Sequence, residues 1–181
     1  MEIKKILIEG PLVITPQVFH DSRGYFYEPY NKIKFINAGI TDEFVQDNQS
    51  LSQKGAVRGL HFQSPPFAQG KLVRVVSGAV LDVILDIRKS SPTYGQSFSI
   101  ELNAQNKLIL WVPTGFAHGF ATLEDNTLFQ YKCTEIYNKA SEGGILWNSP
   151  SLKIDWLVHN PILSDKDILL PDFELFETPF V

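Results

Sequence analysis

The sequence lacks the features that would mark a secreted or membrane protein. Its 181 residues include one cysteine, Cys133, so no disulfide can form within the chain. No stretch approaches the ~20 apolar residues of a membrane helix. The N-terminal segment also lacks the long apolar core of a signal peptide. We therefore expect a protein of the reducing cytoplasm, with no membrane segment.

Concentrated positive charge is missing as well. Lysine and arginine number 16 against 20 aspartates and glutamates, which gives a formal net charge of −4, and no basic run stands out. Proteins that bind nucleic acid usually carry a basic patch, so nucleic acid is not an expected partner. An anionic small ligand would need cations gathered locally. The length suits one domain spanning residues 1–181.

Helical periodicity is scarce, whereas short strand-like runs are frequent. Residues typical of turns separate runs rich in Val, Ile, Leu, Phe and Tyr, at 71–76, 79–87, 97–102, 108–112 and 127–137. Many short strands with regular turns predict an all-β sandwich or barrel. The best helix candidates are short, at 31–38 and 164–169.

The run 127–137 combines strand character with reactive side chains. In a strand its odd positions share one face, which brings Tyr131 and Tyr137 together with Glu135. Two phenols and a carboxylate are unusual on a face meant only for packing. This mixture predicts a barrel lumen that holds a ligand.

His61 lies in a short segment that begins at Arg58, and Lys71 follows ten residues later. A histidine in a sheet is commonly satisfied by its neighbours. Flanking cations instead favour a general base that works beside an anionic intermediate. In a regular strand Arg58 and His61 would face opposite sides, so both can reach one site only with a bulge or strand end at Gly59.

His118 ends a Pro-x-Gly-x-x-His pattern that starts at Pro113 and resembles the second motif of the cupin barrels, where the histidine often binds a metal. The first cupin motif would need His-x-His, and this chain has His61-Phe62-Gln63. Glutamine is a poor ligand for transition metals, and the Lys71 ammonium would repel a cation. We expect a cupin-like barrel without a metal. A loop histidine bonded to the backbone is an equal alternative for His118.

Asp165 and Asp167 bracket Lys166 directly after Ser164. Composition alone indicates a solvated helix start, with Ser164 as N-cap and the acids in the first turn. Likewise, Tyr131 alone would be a core or rim tyrosine, since spacing says nothing of a partnership with His61.

Taken in order, the motifs resemble those of the dTDP-4-dehydrorhamnose 3,5-epimerase family. The similarity covers most of the chain, and each block alone is weak while the ordered set is specific. Phe67 departs from the small residue or histidine more usual in its slot at the site entrance. The matching blocks are Asp21-Ser-Arg-Gly-Tyr-Phe26, Phe44-Val-Gln-Asp-Asn48, Val57-Arg-Gly-Leu-His61, Ala68-Gln-Gly-Lys-Leu-Val73, Pro113 to Phe120, Tyr131-Lys-Cys-Thr134, Glu142-Gly-Gly-Ile-Leu-Trp147 and Ser164-Asp-Lys-Asp167.

This resemblance implies a cupin-type antiparallel β-barrel (jelly roll) and roles for particular residues. His61 would abstract the proton beside a ketone while Asp167 orients it, Lys71 would steady the enolate oxygen, and Tyr131 would deliver a proton to the opposite face. Tyr137 would stack on thymine. The other implied contacts to the sugar nucleotide are Arg23, Glu28, Gln46, Asn48, Arg58, His118, Glu142 and Lys166.

The expected reaction inverts C3 and C5 of dTDP-4-keto-6-deoxyglucose and gives dTDP-4-keto-L-rhamnose. The resemblance implies no metal or organic cofactor, and a homodimer that exchanges N-terminal strands. The apolar segment 6–14 is the expected exchanged strand, since an exposed edge strand invites pairing with another chain. The alternatives are a mono-epimerase or 3,4-ketoisomerase of a related substrate, and a non-catalytic sugar-binding cupin.

Overall fold

The computed structural model describes all 181 residues, and strands dominate it. Two helices, α1 (Lys32–Asn37) and α2 (Asp165–Ile168), are both short, which confirms the all-β expectation. The strands are β1 (Glu2–Lys5), β2 (Leu12–Thr15), β3 (Val18–Asp21), β4 (Gly24–Tyr27), β5 (Gln46–Ser52), β6 (Val57–Gln63), β7 (Lys71–Ser77), β8 (Ala79–Asp86), β9 (Ser97–Asn103), β10 (Ile109–Val112), β11 (Phe116–Thr122), β12 (Thr127–Cys133) and β13 (Glu142–Gly144).

Two antiparallel sheets face each other. One has the strand order β1-β2-β10-β7-β12-β5 and the other has the order β13-β6-β11-β8-β9, while β3 and β4 form a separate hairpin. Val73 and Phe129 from the first sheet pack with Ile84 and Phe120 from the second in one buried cluster. The core therefore lies between the sheets, and one end of this space is left for the site.

Other segments of the chain cover the outer face of each sheet. Strand β8 is buried along its whole length, and Leu81 and Leu85 point away from the central core into a cluster that includes Trp156 of the C-terminal segment. Helix α1 places Phe35 against Trp111 and other residues of the six-stranded sheet. Burial on both faces explains why β8 reads as a continuous apolar run interrupted only by aspartates.

The irregularity expected at Gly59 is present. His118 pairs with His61, whereas Phe120 pairs with Arg58, so β6 carries one residue more than β11 over this stretch. Gly59 has φ +124°, and a Cβ there would lie 2.5 Å from the Cα of Gly119. Only glycine tolerates both conditions. The bulge lets Arg58 and His61 face the same cavity.

The strand expected at 127–137 is too long. β12 ends at Cys133, where its two neighbours also end their pairing, β5 at Gln46 and β7 at Lys71. With no ladder to continue, the chain leaves the sheet. Tyr137 therefore does not share a strand face with Tyr131, although both contribute to the same site, as described below.

The single strand expected at 6–14 is also wrong. The segment contains only the first part of β2, and β1 precedes it and pairs with β2 within the chain. Gly10 has φ +116° and Pro11 has no N–H to donate, so the extended pairing is interrupted there. Neither α1 nor α2 has the length and apolar character that a membrane-spanning helix requires.

Candidate active site

A cavity of about 550 Å³ opens between the two sheets, and we call it the larger cavity. Its walls carry all four residues expected to be catalytic, from both sheets and from α2. Among the other expected site residues, Asn48, Arg58, His118 and Lys166 line it as well. The expected catalytic group consists of His61, Lys71, Tyr131 and Asp167.

His61 and Asp167 form a close pair across the cavity wall. The His61 Nε2 lies 2.5 Å from the Asp167 Oδ1, although the two residues are 106 positions apart. Ser164 caps α2 as expected, but Asp167 is buried instead of solvated. Burial alone would raise the pKa of Asp167, yet hydrogen bonds from His61 and Ser164 lower it overall. Asp167 is thus an ionised carboxylate that fixes the imidazole ring.

His118 pairs with Asp82 rather than with the backbone. Its Nε2 lies 3.0 Å from both carboxylate oxygens of Asp82, and both side chains are buried. The His118 ring stacks on Phe129 in the floor of the cavity. The sequence did not lead us to predict Asp82 as a site residue, although an aspartate inside an apolar strand indicates a buried polar partner.

Lys71 enters the cavity from β7, in the sheet that faces His61. The side chain keeps some contact with solvent through the cavity, but it lies deep between the sheets. This burial lowers the pKa of Lys71, and the charges of nearby Asp82 and Glu142 oppose the shift. Lys71 forms no ion pair with a carboxylate, so its N–H groups are available to a ligand.

Tyr131 stands on β12, in the six-stranded sheet, whereas His61 belongs to the five-stranded sheet. The two side chains therefore approach the larger cavity from opposite walls. Burial raises the pKa of Tyr131. The phenol consequently keeps its proton at neutral pH, as a proton donor must.

Arg58 is held by Ser52, whose Oγ accepts a hydrogen bond of 3.1 Å from the Arg58 Nε. This contact leaves the terminal guanidinium nitrogens free toward the cavity. Ser52 was not assigned to the site from the sequence. The inward parity that it shares with Gln46 and Asn48 on β5 is the signal that would have found it.

A smaller cavity of about 320 Å³ adjoins the larger one and shares His61, Lys71, Tyr131 and Asn48 with it. Its remaining wall carries Gln46, Phe62, Gln63, Gln69, Tyr137 and Glu142. The two cavities therefore form one cleft, with the candidate catalytic residues at the junction.

Glu142 links two further site residues at the mouth of this cleft. It accepts a hydrogen bond of 3.0 Å from the Tyr137 hydroxyl and forms an ion pair with Lys166. Burial would raise the pKa of Glu142, but the contacts with Lys166 and Tyr137 lower it overall. The same hydrogen bond raises the pKa of Tyr137.

Two expected contacts, Arg23 and Glu28, lie outside the cleft of their own chain. Arg23 is exposed at the tip of the β3–β4 hairpin and pairs with Asp21 at 2.6 Å. Glu28 lies just past the hairpin and pairs with Lys34 at 2.5 Å. Neither residue lines either cavity.

Gln63 stands where the cupin metal motif would have its second histidine, and its side chain binds the backbone of two loops. Gln63 donates to the carbonyls of Phe67 and Ile136 and accepts from the N–H of Asn138. No three His, Cys, Asp or Glu side chains gather as a metal site would require. The absence of a metal requirement stays a prediction, to be tested with a chelator.

The arrangement suits proton transfer at carbon beside a carbonyl. A carboxylate-oriented imidazole can accept a proton from one side, and a protonated phenol can return one from the other. Lys71 lines the same cavity, and its N–H groups can stabilise an enolate oxygen there. Arg58 and Lys166 add positive charge for an anionic ligand.

Comparison with known proteins agrees with this chemistry. The sequence model described as dTDP-4-dehydrorhamnose 3,5-epimerase matches residues 5–174. The dTDP-4-dehydrorhamnose 3,5-epimerase of Shigella flexneri is 53% identical over 169 residues, which cover 93% of each chain.

Solved structures show the same likeness. The dTDP-6-deoxy-D-glucose-3,5-epimerase of Legionella pneumophila, solved with dTDP-4-keto-L-rhamnose, has a TM-score of 0.94 and 44% identity over 97% of this chain and 94% of that one. A 3'-monoepimerase from Streptomyces bikiniensis, in complex with dTDP-quinovose, has a TM-score of 0.87 and 31% identity over 92% and 85%. These likenesses confirm the cupin-type barrel, and the chain belongs to the dTDP-4-dehydrorhamnose 3,5-epimerase family.

Proposed function

We propose that this enzyme inverts C3 and C5 of dTDP-4-keto-6-deoxyglucose to give dTDP-4-keto-L-rhamnose, a step toward L-rhamnose. The observation that carries the proposal is the placement of His61 and Tyr131 on opposite walls of one cavity. Inversion at carbon requires removal of a proton from one face and its return to the other. A base and an acid on facing sheets meet this requirement.

The C4 ketone acidifies the C–H bonds at both neighbouring carbons. His61 takes the proton, the C–H electron pair moves into the enolate, and Lys71 donates a hydrogen bond to the enolate oxygen. Asp167 stabilises the imidazolium that forms. Tyr131 then protonates the carbon from the opposite face. Solvent removes the proton from His61 and restores the one lost by Tyr131, so atoms and charge balance.

The cleft offers separate places for the sugar and the nucleotide. We place the hexose in the larger cavity beside Arg58 and His118, and the thymine against Tyr137 in the smaller one. Arg58 and Lys166 supply positive charge for the diphosphate, and Glu142, Gln46 and Asn48 supply polar contacts. Stacking on tyrosine tolerates other bases, so the preference for thymine is part of the proposal.

A homodimer with exchanged N-terminal strands would complete the site. Arg23 and Glu28 lie outside their own cleft, but the hairpin that presents Arg23 could reach the cleft of a second chain. The hairpin exposes Phe19 and Phe26, at 53% and 66%, which are apolar surfaces suited to burial in an interface. β1 is also an exposed edge strand. The single domain over 1–181, the cytoplasmic location and the lack of any cofactor are part of the same proposal.

Proton exchange in heavy water tests the function directly. The enzyme is incubated with dTDP-4-keto-6-deoxyglucose in D₂O, the product is trapped by the coupled reductase, and deuterium is located on the ring. Two labelled positions are expected. One labelled position would indicate a mono-epimerase, which the Streptomyces likeness makes the second candidate, and none would indicate a sugar-binding protein. Activity that disappears with a chelator and returns with a divalent ion would contradict the metal-free mechanism.

Tyr131→Phe separates the two proton transfers. Because the base is untouched, deuterium should still enter the ring, while net inversion slows strongly. Loss of wash-in and inversion to the same extent in a folded variant would contradict the role of Tyr131 as the opposing acid.

A further inference from the structure

Three glutamine side chains hold the backbone of residues 135–138, the segment that follows β12. Gln69 donates to the carbonyl of Glu135 at 2.6 Å, and Gln46 accepts from the N–H of Tyr137 at 2.9 Å. Gln63 donates to the carbonyl of Ile136 at 3.1 Å and accepts from the N–H of Asn138 at 2.8 Å. We call Gln46, Gln63 and Gln69 the glutamine clamp.

The clamp takes over where the sheet ends. After Cys133 the chain has no strand neighbour, so its backbone groups would otherwise rely on water. Thr134 still bonds to Gly70, and each of the next four residues has one backbone group bonded to a glutamine side chain. Glutamine suits this role because its amide donates and accepts at once.

Gln63 uses both of its amide hydrogens and its oxygen in hydrogen bonds to the backbone. It is buried, at 4% exposure, and its nitrogen donates a second hydrogen bond of 2.6 Å to the carbonyl of Phe67. Both amide hydrogens and the oxygen are thus engaged in joining two loops. This full engagement accounts for a glutamine at the position where a metal-binding cupin would need a ligand.

All three clamp residues line the smaller cavity, and each also stands two positions from a residue at or beside the junction of the two cavities. Gln63 follows His61 on β6, Gln69 precedes Lys71, and Gln46 precedes Asn48 on β5. The clamp therefore ties the 135–138 segment to the same strands that place the candidate catalytic groups. The segment carries Tyr137, which is 54% exposed and lines the smaller cavity.

We propose that the glutamine clamp is a positioning device that fixes Tyr137 against the nucleotide and sets its distance from His61 and Lys71. The proposal rests on the proposed function, because it takes Tyr137 as the surface on which the base stacks. Gln63 and Gln69 act through Tyr137, and Gln46 adds the polar contact proposed above, so the clamp should govern nucleotide affinity more than the proton-transfer step.

The test uses Gln69→Ala, since Gln69 is only partly buried and the variant should fold. Binding of dTDP is measured by calorimetry and the reaction by the coupled assay. Loss of one hydrogen bond should weaken dTDP binding roughly three- to tenfold and raise KM more than it lowers kcat. Gln69→Glu keeps the length but cannot donate and places a negative charge in the cleft, so it should weaken dTDP binding at least as much as the alanine variant. Gln105→Ala, on an exposed loop where that side chain forms no hydrogen bond, should match the unaltered enzyme.

A double-mutant cycle with Tyr137→Ala decides whether the clamp acts through the ring. If it does, Gln69→Ala should change dTDP affinity less than about twofold once the ring is gone. An undiminished effect in that background would overturn the proposal, because Gln69 would then touch the ligand itself. Unaltered affinity in Gln69→Ala or in Tyr137→Ala would overturn it while leaving the epimerase function standing. An unaltered enzyme that fails to bind dTDP would overturn the proposed function, and the role of the clamp with it.

Discussion

His61 and His118 both line the larger cavity, and each is paired with an aspartate that comes from a very different place. His61 and His118 are direct partners across β6 and β11. Asp82 belongs to β8, the next strand of the same sheet, where it pairs with Phe120 and reaches His118 on the diagonal, two positions along β11. Asp167 comes from α2, far along the chain, and reaches His61 only because the C-terminal segment folds back over the sheet.

The pairs also differ in access to the cavity. The His61 side chain is 28% exposed, whereas that of His118 is 7% exposed. A general base must exchange its proton with solvent after each turnover, and the more accessible ring suits that task. The buried pair, enclosed by β8 and the aromatic floor, suits a fixed hydrogen-bonding surface. Similar side chains in one cavity can thus differ in function through burial.

The largest expected effect comes from His61→Ala. Loss of a general base should slow deuterium wash-in roughly 10²–10⁴-fold, while dTDP binding stays close to normal. His118→Ala, the matched change in the second pair, should slow exchange much less. Exchange rates are measured beside melting temperatures so that misfolding is recognised. Full exchange by a folded His61→Ala variant would show that His61 is not the base.

Asp167→Asn should have the next largest effect. The amide can still bond to the ring but cannot stabilise an imidazolium as a carboxylate does. Charge-assisted hydrogen bonds contribute about 1.5–3 kcal/mol, which corresponds to a loss of roughly 10- to 100-fold in kcat. Because the pKa of Asp167 is lowered in the folded protein, its carboxylate should stay ionised down to a pH below the usual carboxylate pKa. Only below that pH should protonation have the same effect as the substitution. A kcat equal to that of the unaltered enzyme would remove Asp167 from the mechanism.

Asp82→Asn should affect the rate less than Asp167→Asn. If His118 only holds a sugar group, loss of the Asp82 charge changes a positioning contact, with a cost of roughly 0.5–1.5 kcal/mol. KM should rise several-fold while deuterium wash-in at saturation stays near normal. A collapse of wash-in comparable to that of Asp167→Asn would show that both pairs take part in proton transfer.

Asp86→Asn should change stability alone and serves as a control aspartate outside the cavity. Burial disfavours the Asp86 charge, but hydrogen bonds from Arg88, Ser91 and Thr93 outweigh it and lower the pKa from 3.8 to about 2. The folded state therefore binds the proton more weakly than the unfolded chain, and this stabilisation is complete above about pH 4. It is lost as the pH falls from about 4 to 2 and amounts to roughly 2 kcal/mol. Thermal melts across this range check it, and an altered exchange rate per folded molecule would contradict it.

The fold and the irregularity at Gly59 could be predicted from the sequence, but several residue pairs in the site could not. Strand parity required an irregularity at Gly59, and the structure has one. The same parity misplaced Tyr137, because sequence does not show that β5 and β7 both stop opposite Cys133. Asp82 was missed for a similar reason, since its partner His118 lies on a different strand. Arg23 and Glu28 lie outside the cleft of a single chain, and no local pattern in the sequence indicates this.

The bulge at Gly59 gives the cleft an unusual dependence on residues that have no side chain. At this point β6 and β11 approach so closely that Gly59 and Gly119 leave no room for a methyl group on either strand. The extra residue at this contact shifts the alternation of inward and outward side chains along β6 by one position, which turns Arg58 inward beside His61. In a mutational survey these two glycines should therefore rank with the reactive residues in intolerance, although neither has any group that could touch a substrate. What they contribute is empty space, which no larger amino acid can supply.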